Sequence, residues 1–369
     1  MRGVASVSKT AAQVSNVFEN HFDMTRIRLV MTSRVTIHDV AKAAGVSTAT
    51  VSKAVNGRYG VSPQAIERVM AAVDELGYES SLVASSMRAR RTGVIGVLVA
   101  DFEPFSSEVL KGVGAAVRSR GSEYDLLAYS GAHHGENSGW ERRSLSRLSG
   151  TLIDGAILVT PSVLTTTVSI PVVAVDPHTG RTDLPSVEAD SRGGALLAVE
   201  HLLALGHRRI GFLSGRPDLR SASLREAGYV QALRAAGITR DPCLTRHGDF
   251  ELTTARQAAR SLLTQADRPT AVFATNDLSA IALLRTALEL GLRVPDDLSI
   301  VGFDDIPEAS RESPPLTTVQ QPMQRLGSAA AGMLFTMLEG GAPTTPEVQL
   351  PTRLVVRGTT APPAAARGA

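Results

Sequence analysis

The chain has 369 residues, 43% of them hydrophobic, with 38 Lys and Arg against 36 Asp and Glu and a formal net charge of +2. That length exceeds one ordinary core, so two or three compact units are expected, and a lone cysteine, Cys243, excludes an internal disulfide. With so even a charge balance, any surface for a polyanion must be local, and the sequence contains no run of eighteen apolar residues that would make a membrane-spanning helix.

Residues 1–33 show neither a clear period nor turn logic, and Met31 stands four positions before Val35. This stretch reads as a disordered extension or a misassigned start; the alternative is a basic arm in which Arg26 and Arg28 meet phosphates. It lacks the apolar core of a signal peptide, so a cytoplasmic, nucleoid-associated protein is expected. From Val35 to Gly57 the chain writes helix, turn, helix. Ile37, Val40, Ala41 and Ala44 fall on one face, Gly45 supplies the positive φ of the stop, and Ser47 can cap the next helix. In that helix Val51 and Val55 face inward, leaving Thr48, Ala49, Ser52, Lys53 and Asn56 outside. A third helix follows in SPQAIERVMAAVDELGY, with Pro63 in its first turn. From Arg34 to Arg91 eight Lys/Arg stand against five Asp/Glu. Periodicity alone fits a helical hairpin in a larger core equally well.

Beyond Arg91 the pattern becomes short apolar runs (VIGVLV, YDLLAY, GAILVT, PVVAV, RRIGFL, AVFAT, LSIVGF) alternating with glycine-closed helical stretches. Such runs are strands buried on both faces of parallel sheets. The expected fold class is α/β, an all-α helix-turn-helix head followed by two doubly wound lobes. Expected boundaries are 34–79 for the head, 80–91 for a linker, 92–360 for the lobes and 361–369 for a disordered tail.

VTIHDVAKAAGVSTATVSKAVNG resembles the N-terminal signature of the lactose-repressor (LacI/GalR) family of bacterial transcription factors, through DVA, AGVS, TVS and the closing VN. GHRRIGFLSG, REAGYVQAL, AVFATNDLSAIALL, VPDDLSIVGFDDIP and PPLTTVQQP extend the likeness from Thr36 to about Val356. The resemblance implies lobes of periplasmic-binding-protein type with three chain crossings, expected near Asp190, Leu316 and Gly341. It implies a helix over Met323 to Leu338 returning to the first lobe, and the strand VQLPTRLVV finishing the second. On the head it places Thr48, Ala49 and Lys53 at base edges and Ser47, Thr50, Ser52 and Asn56 at phosphates, with Thr36 also on the DNA. SSLVASSMRARR corresponds to a hinge helix whose Met87 would wedge into the minor groove. Here the chain departs from its relatives, because Ser80 and Ser81 replace the usual proline and asparagine and Met87 replaces a leucine.

A ligand of open parallel sheets sits at the carboxyl ends of the strands. Asp101, Asp176, Asn276, Asp277 and Asp304 stand there, and for Asp277 a helix cap is the favoured reading. The resemblance assigns Arg225, Asn276, Asp304 and Asp176 to effector hydroxyls and gives Phe250 an aromatic face; Phe102 or Phe105 could cover the ligand from the other lobe, and Phe105 could equally serve the core. The implied protein is a repressor, a homodimer or tetramer on a pseudo-palindromic operator, controlled by a small effector, with no cofactor or metal. A sugar suits Arg225 and Asp304; a purine or nucleoside is the runner-up. A sugar-binding receptor without a DNA role would need no head. An enzyme is disfavoured because no Walker loop, complete GxGxxG, GxSxG elbow or spaced metal set is present.

Overall fold

The computed structural model of the protein describes residues 35–55, 60–76, 91–121, 123–131, 139–162, 169–178 and 184–364. Asn56, Met87, the expected extension at 1–33 and almost all of the expected hinge lie outside the described residues. Two compact units are formed, Met1–Ser81 and Leu82–Ala369.

The first unit holds three short helices, α1 (Ile37–Ala44), α2 (Thr48–Val55) and α3 (Pro63–Leu76). Thr36 and Asp39 fasten the start of α1: the Thr36 N–H and hydroxyl both donate to Asp39 Oδ2, at 2.8 and 2.6 Å. Those bonds hold Asp39 below the usual carboxylate range, and its charge faces the positive end of the helix. Gly45 ends α1 with φ 64°, and Val46 N–H closes back on the Ala41 carbonyl at 3.0 Å. Ser47 Oγ then accepts from Thr50 N–H at 3.1 Å and caps α2. Val40, Ala41, Ala44, Val51, Ala54, Val69 and Ala72 form the core between the helices. Val55, expected inward with Val51, is only half-buried, because Ala54 takes the more central place.

In the second unit, one sheet contains β1 (Val94–Val99), β2 (Asp125–Ser130), β3 (Gly155–Val159), β4 (Val172–Val175) and β5 (Ser186–Ala189). The other contains β6 (Ile210–Ser214), β7 (Thr245–His247), β8 (Ala271–Ala274), β9 (Ser299–Asp304) and β10 (Thr317–Gln320). Two late strands, β11 (Glu347–Leu350) and β12 (Arg353–Val355), complete them, in the orders β11-β5-β4-β3-β1-β2 and β12-β10-β9-β8-β6-β7. Only the β10–β12 pair among these is antiparallel. The helices α4 (Pro104–Ser119), α5 (Trp140–Leu148), α6 (Ser191–Ala204), α7 (Arg220–Ala235), α8 (Leu252–Leu263), α9 (Asp277–Glu289) and α10 (Met323–Leu338) cover the sheets. Both faces of β1, β3 and β4 are therefore buried, which is why their sequences are unbroken apolar runs. In β2, expected to match them, the pattern is half-buried because the strand lies at the edge of its sheet.

The second lobe is packed on one face by Phe212, Tyr229, Phe273 and Phe303, with Phe212 and Tyr229 stacked at 4.6 Å between centroids. Burying each such ring stabilises by roughly 1.5–3 kcal/mol. The Tyr229 hydroxyl donates to the Ile210 carbonyl at 2.9 Å, so the polar tip is satisfied, and burial pushes its pKa up to about 12.

The chain first crosses between lobes at Asp190, as expected, where β5 hands over to α6. The other two crossings differ from expectation. Leu316 is wholly buried at the start of β10, so the chain stays in the second lobe through Gln320 and crosses at Gln321–Pro322 into α10. That helix packs on α4, β3, β4 and β5 of the first lobe. VQLPTRLVV does not finish the second lobe as one strand: Glu347–Leu350 pairs parallel with β5, while Arg353–Val355 pairs antiparallel with β10. Pro351 has no N–H to continue either ladder, and the final crossing falls there rather than at Gly341. The expected tail also begins in order, since the Ala361 N–H donates to Ser299 Oγ at 3.1 Å and the Ala361 carbonyl lies 2.9 Å from His207 Nε2. Among the described residues no helix is long and apolar enough to cross a membrane.

Candidate functional site

On the head, the second helix presents its outer face as the residue order dictates. Ala49 and Lys53 are exposed one turn apart, Thr48, Thr50 and Ser52 are half-buried beside them, and Val51 and Ala54 turn into the core. Lys53 leaves its cation available, whereas Ser47 and Thr50 also bond each other through their hydroxyls at 2.9 Å. Thr36 is exposed but tied to Asp39.

In the second unit, β1, β3 and β4 from one lobe and β6 to β10 from the other direct their carboxyl ends at one cleft of about 490 Å³. Asp101, Phe105, Asp176, Arg225, Phe250, Asn276 and Asp304 line it; the strand-end argument accounts for Asp101, Asp176, Asn276 and Asp304, and the family resemblance for Arg225 and Phe250. Phe102 does not. It is 48% exposed and outside the lining, so of the two alternatives, Phe102 or Phe105, the cleft takes Phe105, a correction to the placing of Phe102. The cause is the start of α4: Asp101 Oδ1 takes the Phe102 N–H at 2.7 Å and Glu103 caps the helix, so the chain turns Phe105 inward instead. Asp277 also departs from expectation. Asn276 is the cap of α9, its Oδ1 accepting from Ser279 N–H at 3.0 Å, while Asp277 is the first helical residue and accepts from Thr318 Oγ1 at 2.5 Å and Ile306 N–H at 3.0 Å.

The backbone of this cleft is bent away from ordinary conformations. Thr160 (φ 49°), Asp176 (48°), Asp249 (54°), Phe250 (63°) and Asp304 (121°) all have positive φ and all line it. Each such residue costs about 1–3 kcal/mol, held by the sheets around it. Phe250 reaches over Gly215, where a Cβ would come within 2.1 Å of its ring, so glycine is what lets the ring lie there.

The centre of the site is Arg225. Its Nη1 donates to the Thr275 carbonyl at 2.6 Å and lies 3.7 Å from Asp304 Oδ1. The guanidinium sits 3.9 Å from the Phe303 centroid and 5.7 Å from that of Phe250, within cation–π distance of both rings. The Asp304 carboxylate accepts its hydrogen bond from Gln321 Nε2 at 2.7 Å. Burial pushes Asp304 up to about 7 against the pull of Arg225, and burial likewise raises Asp176 and Glu103. Two buried atoms here have no hydrogen-bond partner among the described residues, Arg225 Nε and Gln321 Oε1.

Several lining residues escaped sequence reasoning: Gln321, His178, Glu103, Trp140 and Arg216. Gln321 sits two positions before Met323 in VQQP and follows β10, so the strand-end rule would have found it had β10 been recognised. Burial pulls His178 down to about 4, leaving a neutral imidazole whose Nδ1 is also unpartnered among the described residues.

Residues 36–81 match the model of bacterial regulatory proteins of the lacI family, and residues 199–360 match the periplasmic binding protein-like domain. The HTH-type transcriptional repressor PurR of Photobacterium profundum is 36% identical over 310 residues, 81% of this chain and 91% of that protein. The transcriptional regulator CelR in complex with cellobiose is similar at a TM-score of 0.65 and 33% identity, over 88% of this chain and 100% of that one. The lac repressor dimer bound to operator and the anti-inducer ONPF matches at a TM-score of 0.77 and 31% identity, over 89% of this chain and 99% of that one. A helix-turn-helix head, two α/β lobes and these likenesses over most of the chain have one meaning: it belongs to the lacI family of bacterial regulatory proteins, and is a DNA-binding transcriptional repressor.

Proposed function

We propose that the chain acts in the cytoplasm as a homodimer on a pseudo-palindromic operator, with Thr48, Ala49 and Lys53 at base edges and Thr36, Ser47, Thr50, Ser52 and Asn56 on the backbone, and that a sugar in the cleft sets operator affinity. It works by binding, not by turnover. The observation that carries the ligand reading is the Arg225–Asp304–Gln321 cluster: a paired cation and carboxylate, with a donor on Arg225 and an acceptor on Gln321 that have no partner among the described residues, suit a hydroxyl that both accepts and donates. Phe250 and Trp140 supply the apolar walls of such a pocket. Because the lining comes from both lobes, a bound ligand stabilises the closed arrangement of the lobes by its extra contacts, and a differential affinity of about 1–3 kcal/mol suffices to shift operator occupancy.

The experiment is a thermal-shift screen of the full chain with pentoses, hexoses, disaccharides and purines, followed by operator titration at fixed salt with whichever compound stabilises. A sugar that stabilises the protein and changes operator affinity supports the reading. Stabilisation by purines alone favours the second reading, a purine or nucleoside effector, which the aromatic walls of the cleft also admit.

A further inference from the structure

The lining of the cleft is uneven in charge. Among the described residues seven carboxylates face it, against the guanidiniums of Arg216 and Arg225. Arg216 does not balance the floor, because its Nε and Nη2 donate to the two oxygens of Asp218 at 3.1 and 2.6 Å. Asp176 and Asp304 at the floor, with Asp101, Asp249 and Glu251 toward the rim, therefore surround one buried cation, Arg225.

Two places suited to an anion are already filled. A helix N-terminus is the ordinary cradle of a phosphate, yet the first turn of α4 holds both oxygens of Glu103, which accept from Phe105 and Ser106 N–H at 2.7 and 2.8 Å. The first turn of α9 holds Asn276 Oδ1. What the floor offers instead is the Nε–H of Arg225, 4% exposed, and Oε1 of Gln321, 3% exposed, both unpartnered among the described residues. A hydroxyl satisfies both. A phosphate or carboxylate oxygen only accepts, and would face Gln321 Oε1 and the Asp304 carboxylate as further acceptors.

We infer that the cleft selects a saccharide without negative charge, neutral or aminated, and rejects the phosphorylated and uronate forms of the same sugar. This rests on the saccharide reading above. Burial raises both Asp176 and Asp304, and at Asp304 the neighbouring carboxylates of Glu103 and Asp176 add to it, so a further negative charge is opposed there.

The test is a thermal-shift and calorimetric titration of the full chain at pH 8 and low salt. The probes are pentoses, hexoses and disaccharides, each with its 2-amino, phosphorylated and uronate forms. The expected result is that a neutral or amino form binds at least about tenfold tighter than its anionic counterparts, equivalent to about 1.4 kcal/mol. Asp249→Asn keeps a residue that tolerates positive φ and removes one rim charge, so the neutral-to-phosphate affinity ratio should fall by about threefold, and fall in wild type with added salt. An anionic form that binds as tightly as its neutral partner overturns this inference and leaves the saccharide reading standing. An unchanged ratio in Asp249→Asn overturns it too. If no saccharide of any charge binds, the saccharide reading falls and takes this inference with it.

Discussion

Gln321 Nε2 donates to Asp304 Oδ1 across 2.7 Å, and this bond ties the second lobe crossing to the end of β9. Removing the donor leaves a buried carboxylate with only Arg225 beside it. Gln321→Ala should destabilise the protein by about 2 kcal/mol at pH 8, where Asp304 is ionised, and by less at pH 5, where it is protonated. Denaturant unfolding at the two pH values reads the difference.

Asp304 also makes stability depend on pH. Its folded pKa is raised from 3.8 to about 7, so the unfolded chain ionises first and stability is lost as pH rises from 3.8 through about 7. Asp304→Asn escapes this loss. Its melting temperature relative to wild type should rise between pH 4 and pH 8, while sugar affinity falls. A constant difference across that range would contradict the assignment.

His178 pulls the other way. Its folded pKa is lowered from 6.5 to about 4, so the unfolded chain takes up its proton first and stability is lost as pH falls from 6.5 toward 4. In His178→Gln that acid-side loss should be smaller, and the unfolding midpoint between pH 6.5 and 4 should flatten.

Gly215→Ala puts a methyl group where the Phe250 ring lies. The ring must move, and with it the Phe250 contact with Arg225. Weaker effector binding by about tenfold is expected, with little change in operator affinity when no effector is present. Intact effector affinity would show that Phe250 is not part of the ligand wall.

On the head, Lys53→Ala should lose about 1–3 kcal/mol of discrimination at one symmetric base pair, because the exposed ammonium is the group able to donate to guanine. Ser47→Ala should weaken all operators alike and lower head stability by about 1 kcal/mol through the lost cap of α2. Equal losses on every operator for Lys53→Ala would move that residue from the bases to the phosphates.

The sequence carried most of this architecture because burial on both faces leaves a plain mark: VIGVLV is β1 residue for residue, and the strand-end rule found Asp101, Asp176, Asn276 and Asp304. It missed what leaves no such mark. SVEA, TRH and TTVQ are short and partly polar, yet they form β5, β7 and β10. With β10 unseen, Gln321 was unseen. VQLPTRLVV reads as one apolar-rich stretch whichever sheet it joins, and only the pairing partners, β5 and β10, reveal that Pro351 divides it. Phe102 and Phe105 have the same chemistry; the cap made by Glu103 decides between them.

That division at Pro351 has a consequence for how the molecule is made. The first sheet waits for β11 and for α10, and the second waits for β12, so neither half can be completed until Val355 has left the ribosome. Pairings so distant in sequence are slow to form. A premature stop even a few codons before Glu347 strips an edge from both sheets together, and the truncated product should be a substrate for proteolysis, not a weaker repressor.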